Sequence, residues 1–241
     1  NTLAGATLFT QSSENFLPTS TLVIKKWYSY SAIPLGQVVT GNFGNVTITT
    51  QVGNTLFSWN QKNQFETHKI IGALTIDNGW VILDTTGTIS NTTIGSIVLT
   101  NMNSFLDFHV GNHPSSFKVI TNNIVNTGGA INGIYNGNGD VTLNVIGDFT
   151  NLGNVELIYN TGVQNTSNGN AALNVTGNYL QSAGDLRGVF NLSSTNSGSA
   201  SLSFGSLTHT GGVIMAFYAC NQSALTNKIK VNGNAVINLN N

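Results

Sequence analysis

Acidic side chains are the first residues to consider for chemistry, because cleavage of polysaccharides depends on carboxylates that converge in one cleft. The chain has nine acidic residues, and they are scattered along it. Asp140 and Asp148 flank one predicted strand, and Asp148 and Asp185 lie on neighbouring repeats, so only these could approach one another. No acidic pair occupies positions i and i+2 of a strand. We therefore predict that the chain has no catalytic residues and is not an enzyme.

A second candidate site lies in segment 105–110, where Asp107 and His109 fall on the same face of a predicted strand, with His113 close behind. A metal or acid–base site could use this arrangement. However, a third metal ligand is not evident, and a solvated strand face followed by a turn histidine explains the pattern more simply. Cys220 is the only cysteine and lies in an apolar run, which is typical of a buried small hydrophobe. We predict neither a metal nor a cofactor.

Aromatic residues offer a possible binding surface near the start of the chain. A platform for stacking carbohydrate could be built from Trp27, Tyr28, Tyr30 and Trp59. The alternative is that these rings pack against each other inside a terminal cap.

The element that must position all these residues is a repeat. Segments 140–153, 171–184 and 200–211 each contain a strand of alternating apolar and polar residues, a glycine, a second short strand and another glycine. They recur at a period of about 30 residues, which is typical of a stacked solenoid. Weaker versions of the pattern extend back to residue 41. The repeat therefore predicts the architecture more strongly than any residue predicts chemistry.

Parallel stacking of these repeats would place the same residue type at the same position of successive coils. The expected apolar ladders are Leu143–Leu173–Leu202 and Val145–Val175–Phe204. Each strand would bond to the coils on either side at about 4.8 Å, whereas an antiparallel sandwich would need hairpin turns every 8–12 residues or so. We therefore predict an all-β fold, a right-handed parallel β-helix (β-solenoid) of about seven to eight coils.

Glycines are expected at the corner between the two short strands of each coil. The predicted structural corners are Gly44, Gly72, Gly147, Gly177, Gly205 and Gly233. In two intervening coils we assign the same position to Asn101 and Asn122, because asparagine tolerates the left-handed backbone conformation that glycine adopts readily.

Residues 1–40 do not fit the repeat and are interpreted as an atypical N-terminal cap or a junction to a preceding module. Residues 41–241 form the predicted β-helix. Because the last strand would leave an unpaired edge, we expect the solenoid to continue or to be capped beyond residue 241. The expected partners are therefore neighbouring modules of a longer chain or further copies of this one.

Composition excludes several classes of partner. Only 7% of the residues are charged, the formal net charge is −1, and no basic block occurs, so we expect no nucleic-acid partner. No apolar run reaches the length of about 18 residues that a membrane span needs. Hydrophobic residues make up 40% of the chain, which is enough to bury a core.

The repeats resemble those of a known group of proteins. Segments 43–48, 143–151 and 173–179 are similar to the "NLTI…VxGNFT" repeats of large secreted or cell-surface β-helical proteins, including adhesin-like proteins exported by the type IX pathway of gliding bacteria. The resemblance extends from residue 41 to the C-terminus. It implies an extracellular or cell-surface location and a structural or adhesive module that acts as a spacer or interaction surface, with surface carbohydrate as a further partner.

Two alternatives accompany this resemblance. Some β-helices are carbohydrate-active enzymes of the polysaccharide lyase or glycoside hydrolase type, and acidic or basic residues clustered in one groove would favour that function. Segment 84–86, Asp-Thr-Thr, is similar to the O-glycosylation pattern of such bacteria, which makes Thr85 a candidate acceptor. A plain turn is the simpler interpretation of that segment.

Overall fold

The computed structural model describes residues 17–25, 41–49, 56–58, 68–84, 91–110, 116–135, 139–160, 169–191, 199–218 and 227–238. All regular structure in these ranges is β-strand. The strands are β1 (Thr21–Lys25), β2 (Gly41–Phe43), β3 (Asn45–Thr49), β4 (Leu56–Ser58), β5 (His68–Asp84), β6 (Asn91–Leu99), β7 (Ser104–Val110), β8 (Phe117–Asn126), β9 (Ala130–Tyr135), β10 (Val141–Val145), β11 (Phe149–Asn151), β12 (Asn154–Asn160), β13 (Ala171–Gln181), β14 (Asp185–Asn191), β15 (Ala200–His209), β16 (Val213–Tyr218), β17 (Lys228–Val231) and β18 (Ala235–Ile237).

The strands form two stacked faces, and every strand pairing is parallel. Face one consists of β1, β2 with β3, the first part of β5, β6, β8, β10 with β11, β13, β15, and β17 with β18. Face two consists of β4, the second part of β5, β7, β9, β12, β14 and β16. The predicted parallel β-solenoid is therefore confirmed. The described residues trace fewer complete coils than the predicted seven to eight.

The apolar ladders predicted from the repeat phase are present. Leu143 pairs with Leu173, which pairs with Leu202, and all three side chains are fully buried. Val145, Val175 and Phe204 form the second ladder in the same way. Because inward positions alternate with outward ones along each strand, stacking coils produces one continuous core between the two faces.

The corner glycines occupy equivalent positions in successive coils, with one correction. Ala73 pairs with Ser96, so the residue that corresponds to Gly72 in the next coil is Gly95. The assignment of this position to Asn101 was wrong, since Asn101 lies in the turn after β6. The error arose because this coil is short: Ser96 follows its partner Ala73 by 23 residues, whereas Leu74 follows its partner Val46 by 28 in the coil before.

The corners need glycine for space and not for a left-handed backbone. Positive φ angles occur at Gly79, Gly128, Gly139, Gly184 and Gly212, none of which is a predicted corner. A Cβ atom on Gly177 would lie 2.5 Å from the carbonyl oxygen of Gly147, and one on Gly205 would lie 1.8 Å from that of Thr176. Both distances are far below van der Waals contact, so a Cβ atom at either corner would force the backbone to shift. At these corners the backbone of one coil packs directly onto that of its neighbour.

Asparagine and aspartate side chains beside these corners bond consecutive coils together. Asn45 Oδ1 accepts from the Ala73 backbone N–H at 2.9 Å. The carboxyl Oδ1 of Asp148 accepts from the Asn178 backbone N–H at 2.8 Å, and Asn123 Oδ1 in turn accepts from the N–H of Asp148 at 2.9 Å. Short side chains that end in an acceptor satisfy backbone donors where the strand bends. This role accounts for part of the abundance of asparagine.

A second set of amides forms a ladder inside the solenoid. Asn126 Nδ2 donates to Asn151 Oδ1 at 3.0 Å, and Asn151 Nδ2 donates to Gln181 Oε1 at 3.0 Å. All three side chains are fully buried. Buried amides are costly unless they are bonded, and here each residue is the hydrogen-bond partner of its counterpart in the next coil.

Candidate functional site: a groove on face two

Outward residues of face two line up in columns that cross successive coils. Leu106, Ile131 and their counterparts Val155 and Leu186 point into the core and are fully buried. The residue after each of these therefore points outward. These four outward residues, which we call the polar column, are Asp107, Asn132, Glu156 and Arg187.

An aromatic column runs beside the polar column, three residues further along each strand. Tyr135 stacks on Tyr159 at a centroid distance of 5.3 Å, and Tyr159 stacks on Phe190 at 5.0 Å. On the other side of the polar column lie Trp80 and Phe105. Together the two walls and the polar floor enclose a groove of about 470 Å³.

Asp107 occupies the floor of the groove and is completely buried. Its Oδ2 accepts from Trp80 Nε1 at 2.6 Å, and its Oδ1 accepts from Asn132 Nδ2 at 2.7 Å. Burial raises the pKa of Asp107 from its ordinary value of 3.8 to about 7; the two hydrogen bonds oppose this rise, and the charge of Glu156 adds to it. Within the described ranges no lysine or arginine forms an ion pair with this carboxylate.

Trp80 covers Asp107. It lies in the coil before Asp107, yet its ring meets Tyr135 of the coil after, edge to face at 5.8 Å. The indole therefore extends along the groove past the carboxylate, and its N–H is bonded to that carboxylate on the way. This cover explains why an outward-facing aspartate is buried.

Asn132 lies between Asp107 and Glu156 in the column. Its Nδ2 is directed at Asp107, so its Oδ1 is directed away from Asp107. Asn132 is only 6% exposed, and its Oδ1 has no hydrogen-bond partner among the described residues. A buried acceptor without a partner lowers the stability of the fold, because its hydrogen bonds to water are lost on burial and no protein donor replaces them.

Arg187 connects two carboxylates at the other end of the column. Its Nη1 donates to Glu156 Oε1 at 2.9 Å, and its Nη2 donates to Asp185 Oδ2. The guanidinium also lies over the Phe190 ring, 4.9 Å from the centroid. Burial raises the pKa of Glu156, and the positive charge of Arg187 opposes that rise.

Many of the predicted site residues lie outside the part of the chain that the structure describes. They are the four aromatic residues of the predicted platform, Thr85, His113 and Cys220. Asp107 and His109 were expected on a solvated strand face, and this was wrong, since both are buried.

The remaining acids are not brought together as one pair. Asp140 and Asp148 each accept a hydrogen bond from the backbone of the next coil, whereas Asp185 bonds to Arg187 beside the groove. The acids that do share a groove are Asp107 and Glu156; Asp107 was a candidate with His109, but its pairing with Glu156 was not predicted. The signal that could have found them is their common position after an inward aliphatic residue of each face-two strand.

Among the described residues no cluster of three or more histidine, cysteine or acidic side chains is placed to hold a metal ion. The described ranges also contain no helix long and apolar enough to cross a bilayer. No protein-family model, curated protein or solved structure matches this chain.

Proposed function

We propose that the chain is a structural or adhesive module of an extracellular or cell-surface protein, and that its face-two groove binds carbohydrate. The observation that carries this proposal is the composition of the groove. Ligand sites are typically concave and largely apolar, with a few polar groups that fix orientation. In a chain with only 7% charged residues, one groove contains Asp107, Glu156 and Arg187 between aromatic walls.

The shape of the groove supports an extended ligand. The columns run from coil to coil along the solenoid, and the groove borders five coils, from Trp80 to Phe190. Solenoids commonly use such extended surfaces for binding. Tyrosine and tryptophan combine apolar rings with a polar group, which suits the mixed surface of a sugar. An oligosaccharide lying along the axis would contact the aromatic column and the floor at Glu156 and Arg187, with Trp80 at one end.

A binding experiment with a matched control tests this proposal. The wild-type chain is titrated calorimetrically with oligosaccharides of several charge classes. Tyr159→Ala removes the middle ring of the aromatic column, and we expect it to weaken binding at least about tenfold. Thr150→Ala is the control, because Thr150 points outward from face one. Absence of binding across the panel, or equal binding by Tyr159→Ala, would contradict the proposal.

The second candidate function is cleavage of polysaccharide, and the same groove favours it because Asp107 and Glu156 share it. A carboxyl group that keeps its proton near neutral pH suits a general acid. However, both oxygens of Asp107 already accept hydrogen bonds beneath the Trp80 indole, and Glu156 is paired with Arg187. Neither carboxylate has a clear path to a glycosidic oxygen, so binding without cleavage fits the geometry better.

An assay for products separates the two functions. Each glycan that binds is incubated with the wild-type chain, and new reducing ends and unsaturated ends are measured. We expect the glycans to be returned intact. Reproducible cleavage that is lost in Asp107→Asn would replace the binding proposal with the enzyme.

A further inference from the structure

The groove has two carboxylates and one guanidinium. Asp107 and Glu156 line it together with Arg187, and Arg187 is the only guanidinium bonded to either groove residue or to the neighbouring Asp185 in the described part of the chain. Arg187 is shared between Glu156 and Asp185. Asp107 is bonded only to neutral donors, the indole of Trp80 and the amide of Asn132. A buried carboxylate without a counter-ion is unfavourable, and a cation supplied by a ligand would relieve this.

The orphan acceptor of Asn132 is an independent sign of a ligand. Its Oδ1 is buried and unpartnered, and its Nδ2 is fixed by Asp107. The partner it needs is therefore a donor located on the Glu156 side of Asn132. That position lies between the two carboxylates of the column, which flank Asn132 in the preceding and following coils.

We propose that the groove selects glycans that carry a free primary amine, with the ammonium group bonded to Asn132 Oδ1 between Asp107 and Glu156. An ammonium group has three donors and no acceptor, so it can serve the amide oxygen and a carboxylate together. This inference rests on the proposed carbohydrate-binding function and specifies its ligand. A glycan of uronic acids would instead bring further carboxylates into a groove that already has an excess of them.

Three oligosaccharides of equal length test this inference by calorimetry: a glucosamine oligomer, the matching N-acetylglucosamine oligomer and a galacturonate oligomer. At about pH 7.5, above the pKa of about 7 that burial gives Asp107 and below the ordinary pKa range of an amine, we expect the wild-type chain to bind the glucosamine oligomer at least about tenfold more tightly than the N-acetyl oligomer. The galacturonate oligomer should bind most weakly.

Variants determine whether the preference arises in the groove. Asp107→Asn removes one of the flanking charges, and Asn132→Leu removes the orphan acceptor, so each should reduce the preference for the amine. Asp148→Asn is the matched control, because it removes the same charge at a corner where Asn45 and Asn123 already form the equivalent backbone bond. It should leave the preference unchanged. Thermal unfolding of each variant verifies that it is folded.

The outcomes separate this inference from the function on which it rests. If none of the three oligomers binds, the carbohydrate-binding function itself fails. If the N-acetyl or galacturonate oligomer binds as tightly as the glucosamine oligomer, the groove binds glycans but does not select the amine. A preference that persists in both groove variants, or that is lost in Asp148→Asn, would also overturn the inference, since the overall charge of the chain would then explain it.

Discussion

Replacing Asp107 with asparagine is expected to stabilise the protein at pH 8 and to have little effect near pH 4. Burial raises the pKa of Asp107 from 3.8 to about 7. Between these two values the unfolded chain has released this proton, while the folded chain still holds it. The folded state therefore binds more protons, and this group makes the free energy of unfolding fall as pH rises through the window. Asparagine does not ionise, so the Asp107→Asn variant does not lose stability in this way as the pH rises.

The expected change in the free energy of unfolding follows from the width of the pH window between the two pKa values of Asp107, 3.8 and about 7. Each pH unit costs about 1.4 kcal/mol while only the unfolded state is ionised, so a window of roughly three units gives at most on the order of 4 kcal/mol above pH 7. Asparagine also fits the site. Its Oδ1 can accept from Trp80 Nε1, and its Nδ2 can donate to Asn132 if that amide turns over and uses its unpartnered Oδ1.

Urea unfolding at several pH values between 4 and 8 measures this effect. The stability of Asp107→Asn minus that of the wild type should grow from near zero to several kcal/mol across this range. Asp107→Leu is a useful comparison, because it also lacks the charge but leaves the Trp80 and Asn132 donors without an acceptor. It should be less stable than Asp107→Asn at every pH. Parallel curves for wild type and Asp107→Asn would refute the reasoning, since the carboxyl group would then ionise normally in the fold.

Three further outcomes concern the stability of the solenoid and are measured by urea unfolding. Leu173→Ala should cost about 2–5 kcal/mol, because it leaves a cavity in a fully buried ladder; a loss below roughly 0.5 kcal/mol would contradict that position. Gly205→Ala should cost more than Gly233→Ala, by about 1–3 kcal/mol, since the added Cβ meets a backbone oxygen at 1.8 Å in the first case and 2.8 Å in the second. Equal losses would show that the corner can relax. Asn151→Leu should cost about 1–3 kcal/mol, because it breaks the buried amide ladder on both sides; a neutral result would mean that the neighbouring amides find other partners.

The fold was predictable because its signal repeats. Leu143, Leu173 and Leu202 occupy the same position in three successive repeats, so a single phase fixes the parallel register and the inward face. Prediction failed where coil length changes. The coil after β5 is about five residues shorter than the one before it, which places the corner at Gly95, where an even spacing would not put it.

The groove was not predictable for a related reason. Asp107 and Asn132 are 25 residues apart, whereas Glu156 and Arg187 are 31 apart, so no constant spacing connects the polar column. The alternation of apolar and polar residues in segment 105–110 indicated correctly that Asp107 points out of the core. It could not indicate that the indole of Trp80, which belongs to another coil, would cover it. Burial of an outward residue depends on contacts between coils, and these require the register to be known first.

The parallel register also restricts which amino acids such a chain can repeat. Each side chain lies over its counterpart at about 4.8 Å, so a charge repeated at one position would meet a like charge in every coil. In the described strand pairs, charged residues instead face opposite or neutral partners, as Glu156 faces Arg187 and Asp107 faces Asn132. Leucine, threonine and asparagine can be copied from coil to coil without this penalty. Parallel stacking in register therefore favours neutral side chains over charged ones at repeated positions, which agrees with a chain in which only 7% of the residues are charged.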